Sequence, residues 1–190
     1  TFLTPWKLRR TSNDRSLCLF ALGQIADATP LTITASRRPE CEVSTPVALG
    51  TVGQARVGLS ETACATALRL AMWEHHGVQP AAQTHLGTQI TEIIDNGSYN
   101  CRRMRTAAGG SQRWSTHATA MAIDVSGFRM ADGRNIRLIR DWDGDDAVAT
   151  FLRDVRDTSC TWFATTLSPD YNALHADHFH LQSTGWGLCR

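Results

Sequence analysis

The sequence predicts an α+β fold, in which a small antiparallel sheet packs against two long helices and is held by disulfide bonds. Strand-like segments are joined by turn signals rather than by helical crossovers, and two segments have the apolar periodicity of helices. Six cysteines are spread over nearly the whole chain. With 190 residues, of which 42% are hydrophobic, the chain is large enough to form one compact domain with a core.

The first helix is expected to follow an N-terminal segment that has little periodicity. Residues 1–55 contain many Thr, Pro and Arg residues and are interpreted as a wrapping segment around a core formed by residues 56–190. Ser60 is the expected N-cap, and the helix is expected to end near Gly77. Its apolar face carries Cys64, Leu68, Ala71 and Met72.

Two strand pairs and a second helix are expected further along the chain. Asn96-Gly97 is a strong type I′ turn signal, and a second strand pair is expected around Asp132-Gly133. Asp145 is expected to cap the long second helix. The apolar face of that helix contains Val148, Phe151, Leu152, Val155, Trp162 and Phe163.

The charge of the chain excludes some classes of partner. The formal net charge is +1, so no electrostatic signal indicates binding to nucleic acid or to an anionic membrane. No apolar run approaches the roughly 20 residues that a membrane-spanning helix needs. The chain begins at Thr1 rather than Met, and we expect that it is processed or truncated. A membrane tether upstream is therefore left open. The oligomeric state is left open as well.

The cysteines indicate the redox compartment. Their even number and wide spacing favour three disulfides in an oxidising environment, and the absence of a C-x-x-C motif argues against a thiolate zinc site. The alternative is a cytosolic protein with six buried free thiols. The sequence alone does not select a pairing.

Three histidines lie close together in the stretch "NALHADHFHLQ", residues 172–182. On a strand, His178 and His180 would share one face about 6.5–7 Å apart, so a metal held by one would be within reach of the other. Asp177 and Phe179 would face the other way. Asp177 could still orient a neighbouring ring through a hydrogen bond.

Further metal ligands are expected from "STHATAMAIDV", which contains His117 and Asp124. Their spacing fits ligand bonds near 2 Å best if Asp124 lies on a strand and His117 lies on a loop that folds back over it. Small alanines on the intervening segment would allow that path. Two imidazoles, one carboxylate and one open position form a catalytic zinc pattern. His117 alone would be an ordinary histidine and H-x-H alone occurs by chance, but the combination favours metal binding.

These motifs resemble those of the LAS-type zinc peptidases, which include lysostaphin-like enzymes, D-alanyl-D-alanine peptidases and hedgehog signalling domains. They are more similar to the bacterial extensin-like C-terminal domain family. The resemblance runs from about Cys18 to Arg190, through "CEVSTPV", "GSYNCR", "STHATAMAIDVSGFRMADGR", "FLRDVRDTSC" and "LSPDYNALHADHFHLQ".

The resemblance implies one zinc ion per chain with the ligands His117, Asp124 and His180. It implies that His178 is the catalytic histidine and that His175 is an additional active-site histidine.

Two further site residues are implied by the resemblance. Arg102 would face the substrate or the developing oxyanion, with a surface salt bridge as the alternative. Ser115 would contact the substrate, with a loop cap as the alternative.

The resemblance also implies an exported hydrolase, in the periplasm or cell envelope, that acts on the stem peptides of peptidoglycan. An endopeptidase that cuts D-alanine to diaminopimelate cross-links is the first expectation, and a D,D- or L,D-carboxypeptidase is the second. A non-catalytic, zinc-stabilised cell-wall binding module is the alternative of another class. The presence of His178 favours an enzyme, because a binding module needs no imidazole at the position of the base.

The chain departs from the family pattern beside the first ligand. Thr116, Ala120 and Met121 stand where the family has an acid, a glycine and an asparagine. Alanine does not adopt positive φ as cheaply as glycine, so the loop is expected to follow a different path. The spacing of the family implies the disulfides Cys18–Cys41, Cys64–Cys101 and Cys160–Cys189.

Overall fold

The computed structural model describes residues 4–33, 37–106, 109–185 and 187–190, and it confirms the α+β class. The helices are α1 Thr4–Asn13, α2 Arg15–Leu22, α3 Cys64–Trp73, α4 Gln79–Leu86, α5 Leu138–Asp141 and α6 Ala147–Trp162. The strands are β1 Ala26–Pro30, β2 Pro46–Val52, β3 Ala55–Ala63, β4 Ile90–Asp95, β5 Arg103–Thr106, β6 Gly109–Trp114, β7 Ala122–Met130, β8 Asn135–Arg137, β9 Thr165–Leu167, β10 Phe179–Gln182 and β11 Leu188–Cys189.

The main sheet is larger than the small sheet expected from the sequence. Within the described residues it has nine strands in the order β1-β2-β3-β4-β7-β10-β9-β11, with β8 also paired to β7. It is mixed rather than purely antiparallel, because β3 runs parallel to β4 and β9 runs parallel to β11. Strands β1 to β3 enlarge it from a part of the chain where small and polar residues weaken the alternating pattern.

The first long helix starts later than expected, and helical backbone continues beyond its expected end. Strand β3 continues through Ser60, so that residue is not the N-cap, and α3 begins at Cys64. A π-helical turn carries the chain past Gly77 into α4. A side chain at Gly77 would lie 2.6 Å from the hydroxyl of Thr158, so glycine serves close packing here rather than helix termination. Pro80 is tolerated because it lies in the first turn of α4.

Of the two expected strand pairs, the structure confirms only the second. Strands β7 and β8 flank Asp132-Gly133 and pair with each other. The hairpin expected at Asn96-Gly97 is wrong, because β4 pairs with β7 and β3 instead of with the next segment. The backbone at Asn96 and Gly97 bonds to that of Asp124. Pairing with a distant strand thus overrides the local turn signal.

The second long helix has its expected apolar face up to Trp162, with Phe163 just past its end, and its cap is one residue later than predicted. Asp146, rather than Asp145, accepts a hydrogen bond from the backbone N–H of Ala149. The helix packs against α3, where the indole of Trp73 donates to the carbonyl of Val155. No helix in the described part of the chain is both long and apolar enough to cross a membrane.

All six cysteines form disulfides, which places the protein in an oxidising, extracellular environment. The bonds are Cys18–Cys64, Cys41–Cys101 and Cys160–Cys189. Only the third was expected from the family spacing; the pairings Cys18–Cys41 and Cys64–Cys101 are wrong. Helix α2 packs against α3, which brings the Cα atoms of Cys18 and Cys64 to 6.2 Å, within the range of a disulfide.

Candidate metal centre

Three side chains meet at the centre of the sheet in a group that could hold a metal ion: His117, Asp124 and His180. Asp124 on β7 lies directly opposite His180 on β10, and opposed residues of antiparallel strands face the same side. Oδ1 of Asp124 is 2.7 Å from Nδ1 of His180 and 3.2 Å from Nε2 of His117. The two imidazole nitrogens are 3.2 Å apart. The three expected ligands are therefore brought together.

His117 lies on a short 3₁₀ turn, Thr116–Thr119, that folds back over β7 as expected. Ser115 caps this turn, since its hydroxyl accepts from the N–H of His117 at 3.3 Å. Ala120 ends the turn in the left-handed region, at φ 53°, although it has no glycine's freedom to do so. That conformation costs about 1–2 kcal/mol. The carbonyl of Ala120 accepts bonds from Ala63 and Thr66, which hold the strained residue in place.

The ring of His117 is oriented by a residue that the sequence did not indicate. Its Nδ1 donates to the backbone carbonyl of Ser98 at 2.7 Å, which leaves the lone pair of Nε2 directed at the other two ligands. The hydroxyl of Ser98 is buried and donates to the carbonyl of Ala122 at 2.6 Å. A contact made by a backbone carbonyl has no signature in the amino-acid sequence, so no pattern could have predicted it.

The carboxylate of Asp124 is ionised in this setting. Burial by itself would raise the pKa of Asp124, but the hydrogen bonds and charges of His117 and His180 outweigh burial and lower the pKa far below its usual range. The side chain is 17% exposed, so the charge sits in a largely dry site. A fixed negative charge facing two imidazole nitrogens is a suitable environment for a divalent cation.

His178 also faces the cluster. It directly precedes β10, with the buried Phe179 on the opposite side, so His178 and His180 share a face as expected. Nε2 of His178 lies 3.6 Å from Oδ1 of Asp124, and Nδ1 lies 2.7 Å from a carboxylate oxygen of Asp177. Because a carboxylate accepts, Nδ1 carries the proton, and the lone pair of Nε2 points into the site.

His175 completes a group of neighbouring rings. Its centroid is 5.3 Å from that of His178 and 5.8 Å from that of His180. Burial, together with the charges of His180 and His178, lowers the pKa of His175 to about 4, so its ring is neutral at pH 7. Nδ1 of His175 donates to the side-chain oxygen of Asn172 at 2.8 Å. That oxygen also accepts the N–H of Leu174, which identifies it as oxygen.

Arg102 and Ser115 lie at the edge of this arrangement. The guanidinium of Arg102 donates to the carbonyl of Arg103, and within the described ranges no hydrogen bond or ion pair joins it to the histidines. Ser115 donates its backbone N–H to the carbonyl of Arg102 at 3.1 Å. The capping contact of Ser115 is present, while the substrate contacts expected of both residues remain predictions.

Comparison with known proteins gives one match. The family model for the extensin-like protein C-terminus matches residues 16–190, which is all but the first 15 residues. No curated protein and no solved structure gives a significant match. The matched region includes every residue of the metal centre.

Proposed function

Since the chain belongs to the extensin-like protein C-terminus family, we propose that it is a zinc-dependent peptidase that cleaves amide bonds in the stem peptides of peptidoglycan. One observation carries the proposal: three metal-ligating atoms converge beside an imidazole whose free nitrogen faces the same point. The motifs that supply these residues resemble those of LAS-type zinc peptidases, and this resemblance directs the proposal towards cell-wall peptides.

The donor set fits one zinc ion. Zinc binds imidazole nitrogen and carboxylate oxygen at about 2.0–2.2 Å, which separates tetrahedral ligands by about 3.3 Å. Both contacts of His117 Nε2, to His180 and to Asp124, are 3.2 Å, and the remaining pair is 2.7 Å apart. Three protein ligands leave one position free, as catalytic zinc sites do. When bound, zinc would polarise the scissile carbonyl and acidify the attacking water.

His178 is the proposed general base and acid. Its Nδ1–H is held by Asp177, so Nε2 is free to accept a proton from the attacking water. The adjacent carboxylate of Asp177 stabilises the imidazolium formed in this step, as second carboxylates commonly do for catalytic histidines. The same Nε2 then returns the proton to the departing amine.

His175 and Arg102 are proposed to contact the substrate, His175 at a peptide N–H and Arg102 at the developing oxyanion. A neutral His175 whose Nδ1–H is bound to Asn172 offers only a lone pair, so it suits a hydrogen-bond acceptor for a peptide N–H. Oxyanion stabilisation requires a donor, and the guanidinium of Arg102 supplies N–H donors. We therefore assign the oxyanion role to Arg102 rather than to His175.

The proposed substrate is the cross-link between D-alanine and diaminopimelate, which makes the protein a D,D-endopeptidase. The three disulfides support an exported protein, and we propose the periplasm or cell envelope as its location. A D,D- or L,D-carboxypeptidase would act on the same stem peptides but would release a terminal residue instead of separating two strands.

Digestion of purified peptidoglycan tests the proposal. The protein is incubated with sacculi, with and without a chelator, and the soluble products are identified by mass. An endopeptidase converts cross-linked dimers into monomers, and the chelator abolishes this conversion until zinc is restored. Release of terminal alanine without loss of dimers would identify a carboxypeptidase. Unchanged peptidoglycan with zinc-loaded protein would identify a binding module and overturn the peptidase proposal.

A further inference from the structure

Strands β5 and β6 form a separate two-stranded sheet beside the metal centre. All four residues of β5 are exposed, and an isolated hairpin of this kind is only marginally stable by itself. Its base, however, is firmly attached. Cys101 is bonded to Cys41 just before β5, and the N–H of Asn100 donates to the carbonyl of the ligand His117 at 2.9 Å. The hairpin is therefore an exposed arm on a fixed base.

The arm carries unbalanced positive charge. No Asp or Glu occurs between Asp95 and Asp124, although this stretch contains Arg102, Arg103, Arg105 and Arg113. Six arginines elsewhere in the chain pair with acids: Arg37, Arg56, Arg129, Arg134, Arg140 and Arg156. Among the described residues, none of the four arginines of the stretch forms a salt bridge.

The arginines of the arm differ in how far the hairpin itself engages them. The guanidinium of Arg103 lies 3.9 Å from the ring centroid of Trp114 and donates to the carbonyl of Gln112 across the hairpin. Arg105 and Arg113 are exposed, with no such internal role among the contacts of the described chain. Arg113 is four residues from His117, which a chain spans in at most about 14 Å.

We infer that this hairpin binds the carboxylates of an acidic peptide polymer and holds it across the metal centre. The inference rests on the proposed function, because stem peptides bearing free carboxylates are the polymer to which it assigns this surface. A guanidinium binds a carboxylate through two parallel hydrogen bonds, and an exposed arm with no acidic residue leaves those donors available. Arg105 and Arg113 are the residues assigned to this contact.

Co-sedimentation with purified sacculi on ice tests the inference. The Arg105→Gln/Arg113→Gln protein should bind roughly 2- to 30-fold more weakly than the unaltered protein, from the usual strength of two exposed charge contacts. Arg105→Lys/Arg113→Lys keeps the charge but loses the paired hydrogen bonds, so it should bind more tightly than the glutamine variant and less tightly than the unaltered protein. An Arg9→Gln/Arg38→Gln protein loses the same charge from other exposed positions and should bind normally. Binding should weaken with added salt, less steeply for the glutamine variant.

A second binding experiment uses sacculi whose carboxylates have been converted to amides. It distinguishes binding to the peptide carboxylates from binding to the glycan. The unaltered protein should bind the amidated material as weakly as the glutamine variant binds native sacculi. Equal binding of the glutamine variant and the unaltered protein would overturn the inference, as would undiminished binding to amidated sacculi. Cleavage is measured separately on the same preparations. A protein that binds through this arm without cleaving would refute the peptidase and leave the inference intact.

Discussion

Nδ1 of His178 lies 2.7 Å from Oδ1 of Asp177. This bond fixes the proton on the outer nitrogen and turns Nε2 towards Asp124, 3.6 Å away. His180, two residues later, faces the same carboxylate through Nδ1 at the shorter distance of 2.7 Å. Two histidines on one face thus have different environments, which allows one to bind metal while the other transfers protons.

Alanine substitutions should separate these two roles. His180→Ala should lose both zinc and activity, because two protein ligands hold zinc poorly. His178→Ala should keep zinc and fold, and its turnover should fall by roughly 10²–10⁴ because a proton-transfer group is missing. Metal content by atomic emission and cleavage of purified stem peptides are measured on both variants. His76→Ala, at an exposed helical position, serves as the control. If His178→Ala loses its zinc, the ligand assignment is wrong.

Substitution of Ser98 should weaken both folding and metal binding. Ser98→Ala leaves the carbonyl of Ala122 and the hydroxyl of Thr62 without their buried partner, at an expected cost of about 1–3 kcal/mol in the free energy of unfolding. It also loosens the carbonyl that orients His117, so zinc affinity should fall about 10-fold. Urea unfolding and competition with a chromophoric chelator measure the two effects.

Thr62→Val is the matched control, since it breaks the same hydroxyl pair from the other side while Ser98 keeps its bond to Ala122. Its loss of stability should be similar and its zinc affinity close to that of the unaltered protein. Unchanged zinc affinity in Ser98→Ala would show that the carbonyl of residue 98 is held by the rest of the loop.

The disulfides should be detected as Cys18–Cys64, Cys41–Cys101 and Cys160–Cys189 in a non-reducing proteolytic map. Replacing Cys41 and Cys101 by serine opens a loop of sequence separation 60, which should lower the free energy of unfolding by about 4 kcal/mol. Replacing Cys18 and Cys64 should cost about as much. Loss of the Cys41–Cys101 bond should also weaken zinc binding, because the neighbouring Asn100 donates its N–H to the carbonyl of His117. A peptide linking Cys18 to Cys41 would contradict the structure.

The stability of the protein should depend on the ionisation of Glu74, which is 1% exposed. Burial raises the pKa of Glu74 above its ordinary value of 4.5, and the hydrogen bonds from Gln79 and the backbone of Gln54 only partly oppose it. The folded state therefore holds this proton to a higher pH than the unfolded state. Above 4.5, the stability attributable to this group falls as pH rises through the raised pKa.

Glu74→Gln removes that contribution and preserves most of the contacts. The free energy of unfolding of both proteins is measured in urea from about pH 4 to pH 8. The value for the unaltered protein minus that for the variant should decrease across the range. Asp95 also has a pKa that burial raises, but its contribution is the same in both proteins and is removed when one free energy of unfolding is subtracted from the other. Parallel curves would show that Glu74 ionises in the folded protein at its ordinary pKa.

Local patterns determined several features from the sequence alone. The apolar periodicity of α6 and the turn at Asp132-Gly133 each depend on residues that are neighbours in the chain, so their geometry follows from residue type and spacing. The spacing of His117 and Asp124 also indicated a loop folded over a strand, whereas the choice of His180 as the third ligand came from the family resemblance. The even, dispersed cysteines were sufficient to predict oxidation.

Tertiary structure decided what depends on contacts between distant residues. No hairpin forms at Asn96-Gly97, because β4 pairs with β7 instead. Cys18 bonds to Cys64 because α2 packs against α3, and the order of the cysteines along the chain does not indicate this partner. Ala120 adopts a conformation that its residue type disfavours, because Ala63 and Thr66 from other elements donate hydrogen bonds to its carbonyl. Local preferences amount to about 1 kcal/mol per residue, and several such long-range contacts together outweigh them.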